Sequence, residues 1–258
     1  MNSHSIIHKN AKIGKNVEIG PFCTIGKNVE IKENCKIHSN VVIDGNTIIE
    51  KNTEIFPFAT IGTIPQDLKY MGEKTKIYIG ENCKIREYVT VNLGTKGGGS
   101  LTKIGNNCLL MIGTHIAHDC NIMENVIFAN HSTLAGHVVV EKNVVVGALS
   151  AIHQFSRIGE GAMIGGMSGV TADVVPFTTV MGNRAKLAGL NLVGLKRNNT
   201  SKQEINELRR VFKYIFYSED KTLELRRKKI KNENLKSYTV NKLLNFLDGD
   251  TKRSICGP

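Results

Sequence analysis

A six-residue repeat constrains the fold of this chain more than any other feature. Isoleucine recurs at every sixth position from Ile7 to Ile61, and apolar side chains resume the same phase from Ile79 to Val91 and from Ile104 to Val170. A period of six fits neither the 3.6-residue turn of an α-helix nor the two-residue alternation of a strand. It is typical of a parallel β-helix, in which each hexad forms one flat face and three hexads close a triangular coil.

Two segments interrupt the repeat. Residues 62–78 place Asp67 and Glu73 at the six-residue positions, and residues 94–103 are rich in glycine. Charged side chains are costly at an inward-facing position. We therefore expect both segments to be loops that leave a regular coil.

Small side chains stand two positions before the apolar position of many hexads. Five of the six cysteines share this phase, namely Cys23, Cys35, Cys83, Cys108 and Cys120. A buried free thiol behaves as a small hydrophobe. We therefore interpret these cysteines as structural, in preference to a redox or metal-binding role.

Composition narrows the class of protein. The absence of tryptophan disfavours a stacking platform for nucleic acid, and no apolar run is long enough for a transmembrane segment. The first residues lack a basic region followed by an apolar stretch, so we expect a cytoplasmic protein.

The last third of the chain differs from the rest. Residues 185–258 contain 17 Lys or Arg against 8 Asp or Glu, which accounts for most of the net charge of +11. An S-x-x-E capping box at Ser201 and Glu204 precedes one amphipathic stripe, and two more apolar stripes follow at 223–230 and 240–247. We predict an all-β parallel β-helix at 1–185 and an α-helical C-terminal domain at 186–258. The basic run 226–229 is either a solvated helix face or a docking patch for an acidic partner.

Histidines cluster in the middle of the repeat. Because three hexads close one coil, His118, Gly136 and Gln154 should share one column, and Asp119 should lie below His137. The histidines could bind zinc, could occupy solvent-facing edges, as for His131 especially, or could supply a general base. The five histidines within this span are His115, His118, His131, His137 and His153.

Several longer motifs, in a fixed order, carry a family resemblance. They are QDLKY at 66–70, GGG at 97–99, LLMIGTHIAHDC at 109–120, LAGH at 134–137, HQF at 153–155, IGGMSGV at 164–170 and GLNLVGLKR at 189–197. Together they resemble the UDP-N-acetylglucosamine acyltransferases of lipid A biosynthesis, nearly from end to end. The resemblance implies a left-handed coil and a homotrimer with each active site between two subunits.

The resemblance also implies a reaction and the residues that perform it. A (3R)-3-hydroxyacyl group would pass from acyl carrier protein to the sugar 3-position of UDP-N-acetylglucosamine or its 3-amino analogue, without a metal or cofactor. His118 would be the general base, Asp119 would orient it, and the Gly136 N–H would stabilise the oxyanion. The basic helices would receive the acidic carrier protein. The substrate-binding set would be Asp67, Lys69, Asn92, His115, His137, Gln154, Asn191 and Arg197, with Gly166 and His153 setting the acyl-chain length.

Three departures from the family pattern affect the acceptor end of the site. Asn92 replaces the usual histidine near the sugar, Val193 replaces an acidic residue, and Asn198 replaces a basic one. The changes at Val193 and Asn198 would weaken nucleotide contacts. Asn92 resembles family members that acylate a 3-amino sugar, and an amine needs less help than a hydroxyl to attack a thioester. The alternatives are a coenzyme A-dependent hexapeptide acetyltransferase and a zinc-dependent, carbonic anhydrase-like hydratase on the same scaffold.

Overall fold

Three sheets form the walls of a triangular prism, and their strands are parallel except for the last one, Lys186–Leu190, which pairs antiparallel with Thr178–Met181. The computed structural model describes residues 4–219, 222–233, 235–249 and 252–258. The first sheet contains Ile6–Ile7, Thr24–Ile25, Val42–Ile43, Thr60–Thr63, Thr90–Asn92, His115–Ile116, Thr133–Leu134, Ala151–Ile152 and Gly169–Val170. The second contains Lys12–Ile13, Glu30–Ile31, Asn46–Ile49, Lys76–Ile79, Leu101–Ile104, Asn121–Ile122, Val139–Val140 and Arg157–Ile158. The third contains Glu18–Ile19, Lys36–Ile37, Glu54–Ile55, Lys84–Ile85, Leu109–Leu110, Ile127–Phe128, Val145–Val146, Met163–Ile164, Thr178–Met181 and Lys186–Leu190.

The strand register confirms the predicted coil of three hexads. Asn16 and Asn34 stack on successive coils at a separation of 18 residues, and the paired strands of the regular coils repeat this separation. The separation lengthens to 30 residues from Asn52 to Asn82 and to 25 residues from Asn82 to Asn107, because the two predicted loops interrupt those coils. Both loops run from a strand of the first sheet to a strand of the second, so both leave the prism at the edge between these sheets.

The hexad side chains fill the interior of the prism. The repeat isoleucines from Ile25 onward are at most 2% exposed. All five cysteines of the shared phase are buried, and each thiol donates a hydrogen bond to a backbone carbonyl of the following coil, as from Cys35 to Glu50 at 3.1 Å. The structural interpretation of the cysteines therefore agrees with their environment.

The three edges of the prism differ in composition. Most corners contain a residue with positive φ, which asparagine tolerates better than most side chains. Asparagines line the edge between the second and third sheets, where Asn16 and Asn34 are hydrogen-bonded at 3.1 Å. Exposed apolar and aromatic side chains line much of the edge between the third and first sheets. Asp119, His137 and Phe155 occupy the corners of the remaining edge.

The helices begin after the last strand, Lys186–Leu190, which lies beyond the predicted boundary at residue 185. Short α1 was not predicted from the sequence. The predicted stripes correspond to the three longer helices, and the apolar faces of α2 and α4 are buried, whereas in α3 only Ile230 is buried and Leu225 is exposed. The described residues form α1 at Leu192–Arg197, α2 at Lys202–Tyr217, α3 at Leu223–Asn232 and α4 at Tyr238–Asp248. None of these helices has the length and apolarity that a membrane crossing requires.

The capping box at the start of α2 is only half formed. Ser201 Oγ accepts a hydrogen bond from the Glu204 N–H at 3.2 Å, as predicted. The Glu204 carboxylate turns instead to the start of α4, where it accepts from the Thr239 N–H at 3.0 Å. Glu204 thus satisfies an orphan donor of a neighbouring helix and joins the two helices.

Polar contacts join the helices to the coil. Tyr238 donates to Glu160 at 2.7 Å, and Arg157 forms an ion pair with buried Asp173 at 2.7 Å. The Arg157 guanidinium also lies 4.4 Å from the centre of the Phe246 ring. These contacts fix the helices against the C-terminal coils of the prism.

Contacts within the helical part engage the basic run 226–229. Arg226 donates to the Ser218 carbonyl, and Arg227 pairs with Asp248 at 3.1 Å. Lys228 pairs with Glu224 at 2.9 Å, and Lys229 lies 5.1 Å from the centre of the Tyr214 ring. The charge of this run is therefore partly offset by neighbouring groups of the same domain.

Candidate active site

His118 and Asp119 form a hydrogen-bonded pair on the edge between the first and second sheets. His118 Nδ1 lies 2.8 Å from Asp119 Oδ2. Adjacent strand residues normally point apart, but Asp119 stands at a corner with a φ of 59°, and this turns its carboxylate back to the imidazole. The Asp119 side chain is fully buried and that of His118 is 14% exposed. The corner geometry that the pair requires is present.

Two threonines fix the position of Asp119. The Thr95 N–H donates to Asp119 Oδ1 at 2.8 Å, and Thr95 Oγ1 donates to Oδ2 at 2.6 Å. The Asp119 N–H donates to Thr102 Oγ1 at 2.8 Å. Sequence reasoning missed both threonines. In the structure Thr90 pairs with His115, an offset of 25 residues. The same offset places Thr95 one position beyond the residue that stacks on Asp119, and this register is the signal that points to Thr95.

The glycine-rich loop is shaped by the same carboxylate. A Cβ at Gly98 would collide with the Asp119 carboxyl group, and a Cβ at Gly94 would approach Asp119 Oδ1 to 2.9 Å. Gly99 has a φ of 97°, a conformation that side chains disfavour. The loop therefore needs glycine in order to wrap the buried carboxylate.

Gly136 lies directly against the His118 ring. A Cβ at residue 136 would stand 2.6 Å from His118 Cε1 and 2.7 Å from Nε2. Gly136 is a buried residue, and no hydrogen-bond acceptor within the described parts of the chain contacts its N–H. A buried N–H without a protein partner is rare. It is therefore suited to a substrate oxygen beside the imidazole.

His137 completes this group. Its ring meets that of His118 edge to face, with centroids 5.0 Å apart, and stacks on the Phe155 ring at 4.4 Å. His137 Nδ1 lies 3.8 Å from Asp119 Oδ2. Burial lowers the pKa of His137, although the Asp119 charge opposes the shift. His137 is therefore suited to hydrogen bonding as a neutral ring near pH 7.

His115 lies on the neighbouring strand, and its pKa is shifted in the same direction as that of His137. Its Nδ1 lies 2.7 Å from Thr90 Oγ1. Burial, reinforced by the His118 charge, lowers the pKa of His115. In the unfolded chain a histidine has a pKa of about 6.5. Between this pH and the lowered pKa of His115 in the folded chain, the unfolded chain therefore binds more protons than the folded chain.

A loss of stability at mildly acidic pH follows from this shift. We expect Tm to fall as the pH drops from about 6.5 through the lowered pKa of His115, because protonation favours the unfolded chain. A His115→Gln variant should lose less Tm over the same interval. Calorimetric scans of both proteins at several pH values across the interval would check this prediction. An equal fall in Tm for the two proteins would contradict it.

An open groove runs past the pair. It has a volume of about 1360 Å³ and is lined by Asp67, Lys69, Asp119 and His137, among others. Asp67 and Lys69 belong to the first loop, which is ordered by a hydrogen bond from the Lys69 N–H to Asp67 Oδ1 at 3.0 Å. The structure thus brings these two predicted residues to the same groove as Asp119 and His137.

Asn92 lies beneath the first loop. It is 3% exposed, and its Nδ2 donates to Thr63 Oγ1 at 2.9 Å and to the Ile64 carbonyl at 3.2 Å. Its Oδ1 is buried and has no hydrogen-bond partner among the described residues. Asn92 therefore anchors the start of the loop that carries Asp67 and Lys69.

Two predicted residues occupy the coil above His137. His153 and Gln154 are both exposed on the edge that carries Phe155. His131 lies on another edge, where its ring packs so closely on Gly113 that a Cβ there would collide with it. The structure therefore separates His131 from the His118 group.

The remaining predicted residues lie apart from the groove lining. Asn191 caps α1 by accepting from the Gly194 N–H at 2.9 Å, and its Nδ2 donates to the Gly161 carbonyl at 2.9 Å. Arg197 ends the same helix. Neither residue lines the groove beside Asp119 within one chain. Gly166 has room for a side chain, because an added Cβ would meet only the Ala148 carbonyl at 3.4 Å and its N at 3.9 Å.

Three side chains of the site could in principle hold a metal ion. Donor atoms of His118, Asp119 and His137 lie within 4.8 Å of one another. The Asp119 Oδ2 atom is already engaged by Thr95 Oγ1 and His118 Nδ1, so a metal ion would have to displace these hydrogen bonds. The geometry favours a hydrogen-bonded His–Asp pair over a metal centre.

A hexapeptide coil with a His–Asp pair at one edge defines a hexapeptide-repeat acyltransferase. Family models agree with this class. Residues 101–136 match the bacterial transferase hexapeptide model, and residues 1–63 match a model described as the GMPPB C-terminal domain. Residues 173–256 match domain 2 of UDP-N-acetylglucosamine O-acyltransferase.

Whole-chain relatives identify the family. An acyl-[acyl-carrier-protein]–UDP-N-acetylglucosamine O-acyltransferase of Aliarcobacter butzleri is 50% identical over 97% of this chain and 95% of the relative. Its counterpart in Paracoccus denitrificans is 48% identical over 79% of this chain and 77% of the relative. The chain therefore belongs to the UDP-N-acetylglucosamine O-acyltransferase family.

Solved structures confirm the fold class. The UDP-N-acetylglucosamine acyltransferase of Campylobacter jejuni superimposes with a TM-score of 0.93 at 39% identity, over 100% of this chain and 99% of that one. The enzyme of Francisella novicida gives a TM-score of 0.95 at 33% identity, over 100% and 94%. The predicted left-handed parallel β-helix with C-terminal helices is thus confirmed.

Proposed function

We propose that this acyltransferase transfers a (3R)-3-hydroxyacyl group from acyl carrier protein to the 3-hydroxyl of UDP-N-acetylglucosamine, the first step of lipid A synthesis. The observation that carries the proposal is the 2.8 Å pair of His118 and Asp119 beside the buried N–H of Gly136. The names of the relatives at 48% and 50% identity support both substrates.

The mechanism follows from the position of each group. Asp119 accepts a hydrogen bond from the Nδ1–H of His118, so the Nε2 lone pair is available as a base. His118 Nε2 takes the proton of the sugar hydroxyl as its oxygen attacks the thioester carbonyl. The Gly136 N–H donates to the resulting oxyanion, a contact worth about 3 kcal/mol in other acyl-transfer enzymes. Collapse of the intermediate expels the carrier thiolate, which His118 protonates.

Substrate binding involves the residues around the pair. Asp67, Lys69, His115, His137 and Gln154 would hold the UDP-sugar, with Lys69 supplying countercharge to the diphosphate. Asn191 and Arg197 lie outside the groove lining of one chain. We propose that they reach the nucleotide from a second copy in a homotrimer, and that the site lies between two subunits.

The acyl chain and its carrier require further surfaces. Gly166 would leave the acyl groove open, since the space beyond its Cα accommodates a side chain without a backbone clash. His153 lies exposed on the same coil as the first sheet strand Ala151–Ile152 and would contribute to the acyl end. The exposed lysines of the basic run would receive the acidic carrier protein in the cytoplasm.

The 3-amino analogue is the second candidate acceptor. The buried Oδ1 of Asn92 lacks a hydrogen-bond partner among the described residues and could accept a bond from an amine. The names of the relatives, which are O-acyltransferases, favour the hydroxyl sugar. Because Asn92 is buried beneath the first loop, an amine could reach its Oδ1 only after that loop had moved.

A turnover assay tests the function directly. Purified protein is incubated with 3-hydroxyacyl carrier protein and either UDP-N-acetylglucosamine or its 3-amino analogue, and the products are identified by mass spectrometry. We expect an ester product with the hydroxyl sugar. An amide product alone would identify the 3-amino analogue as the acceptor in place of UDP-N-acetylglucosamine. Acylation of acceptors from acetyl-coenzyme A only, or stoichiometric zinc with carbon dioxide hydration, would refute the proposal in favour of the two alternatives.

A further inference from the structure

The C-terminal segment returns to the edge that carries the site. The Asp173 N–H donates to the Ser254 carbonyl, and the Cys256 N–H donates to the Asp173 carbonyl, both at 2.8 Å. The Leu187 N–H donates to the Gly257 carbonyl at 2.8 Å, and the buried Cys256 thiol donates to the Ala185 carbonyl at 3.1 Å. Backbone hydrogen bonds thus fix the segment 254–257 to the last coil.

Arg253 joins this segment to the coil above His137. Its Nε donates to the Gln154 carbonyl at 2.9 Å, and its guanidinium donates to His153 Nδ1 at 2.7 Å. A guanidinium has only donors, so His153 Nδ1 must accept and its proton must reside on Nε2. Arg253 is therefore a positioning residue that fixes both the tail and the His153 tautomer.

Lys252 is thereby placed at the groove. Its Nζ lies 4.5 Å from the centre of the Phe155 ring, which stacks on His137. It lines the same groove as Lys69 and Asp119. Within the described parts of the chain, Lys252 forms no ion pair with a carboxylate. Its charge is nevertheless close enough to contribute to the lowered pKa of His137.

The lining of this groove is cationic. Among the described residues, Lys69, Lys96, Lys103 and Lys252 outnumber the acidic side chains of Asp67, Glu73 and Asp119, and Arg157 is paired with Asp173 outside this count. All three carboxylates already accept hydrogen bonds within the chain, Asp67 from the Lys69 N–H. Asp119 is bonded to Thr95 and His118, and Glu73 accepts from the N–H groups of Met71 and Lys96. The groove therefore attracts an anion rather than a cation.

We propose that Lys252 binds a phosphate group of the substrate in this groove. This inference rests on the proposed function, because both of its substrates carry phosphate. One source is the diphosphate of the UDP-sugar, and the other is the phosphodiester of the pantetheine arm on the carrier protein. In either case the ammonium group, poised over Phe155, supplies a charge-assisted hydrogen bond to an anion beside His137.

The experiment compares Lys252→Met with Lys252→Arg. Lys36→Met, an exposed lysine on a strand near the opposite end of the prism, is the matched control. Equilibrium binding of UDP-N-acetylglucosamine is measured by calorimetry, and KM and kcat are measured for each substrate. Binding of the sugar nucleotide by the wild type needs no turnover, so failure of the proposed reaction would be recognised separately.

The outcomes separate the two sources of phosphate. A rise of about tenfold in the Kd of UDP-N-acetylglucosamine, restored by arginine, assigns Lys252 to the diphosphate. An unchanged nucleotide Kd with a KM for acyl carrier protein raised about tenfold assigns it to the pantetheine phosphodiester. Values equal to those of Lys36→Met for both substrates, or a fall in kcat alone, would overturn the proposal.

Discussion

A His118→Ala variant is expected to lose about a thousandfold in kcat while its oligomeric state and Tm stay close to those of the wild type. General-base catalysis by a positioned side chain contributes about 10²–10⁴-fold. The imidazole is held by Asp119 on one side and packs on Gly136 on the other, but it stands at the edge of the prism and not in its apolar core. Steady-state turnover with saturating acyl carrier protein and UDP-sugar measures the loss.

His131→Ala is the matched control for this experiment. His131 is an exposed histidine on the same group of coils but on another edge, and it shares a positive φ with Asp119. Its removal should leave kcat within a few-fold of the wild-type value. Near-normal turnover of His118→Ala would exclude the base role, and equal losses in both variants would indicate a general effect on the coil.

Gly136→Ala is expected to reduce kcat by about a hundredfold. The added Cβ would stand 2.6 Å from His118 Cε1, so the imidazole must move away from Asp119. A displacement of about 1 Å in a reacting group can cost this much. The backbone at Gly136 does not have positive φ, so alanine introduces no conformational strain. The loss should therefore be in kcat, with Tm little changed.

Gly166→Ala provides the comparison. The same substitution at residue 166 meets nothing closer than 3.4 Å, so neither folding nor the His–Asp pair should change. We expect wild-type Tm in both variants and wild-type kcat in Gly166→Ala with a short acyl chain. Retention of full activity by Gly136→Ala would show that His118 tolerates the displacement, and would contradict the requirement for a residue without a side chain at this position.

The repeat made most of the fold predictable, because a fixed period propagates register from coil to coil. Once three hexads are assigned to a coil, the stacking of Gly136 on His118 and of His137 on Asp119 follows without further information. Both relations are present in the structure. The positions of the two loops followed equally, since they interrupt the period.

Contacts that cross an interruption or a long stretch of chain were not predictable. Thr95 lies 24 residues before Asp119, a separation that the rule of three hexads does not contain. Arg253 reaches His153 across 100 residues, and no period connects the tail to the coil. The capping box predicts that the Glu204 carboxylate binds the start of its own helix, α2. In the structure it binds the start of α4 instead, so tertiary packing overrides this local rule.

The two loops and the returning C-terminus all meet the prism along one edge, and this separates the parts of the molecule that can vary from the parts that cannot. Lengthening or shortening a loop there reshapes the groove while every inward isoleucine keeps its neighbour. The asparagine edge keeps the regular spacing of the hexads at its corners, as where Asn16 is hydrogen-bonded to Asn34 on the next coil. New acyl or sugar preferences can therefore arise through changes confined to this edge, with the hydrophobic stack inherited intact.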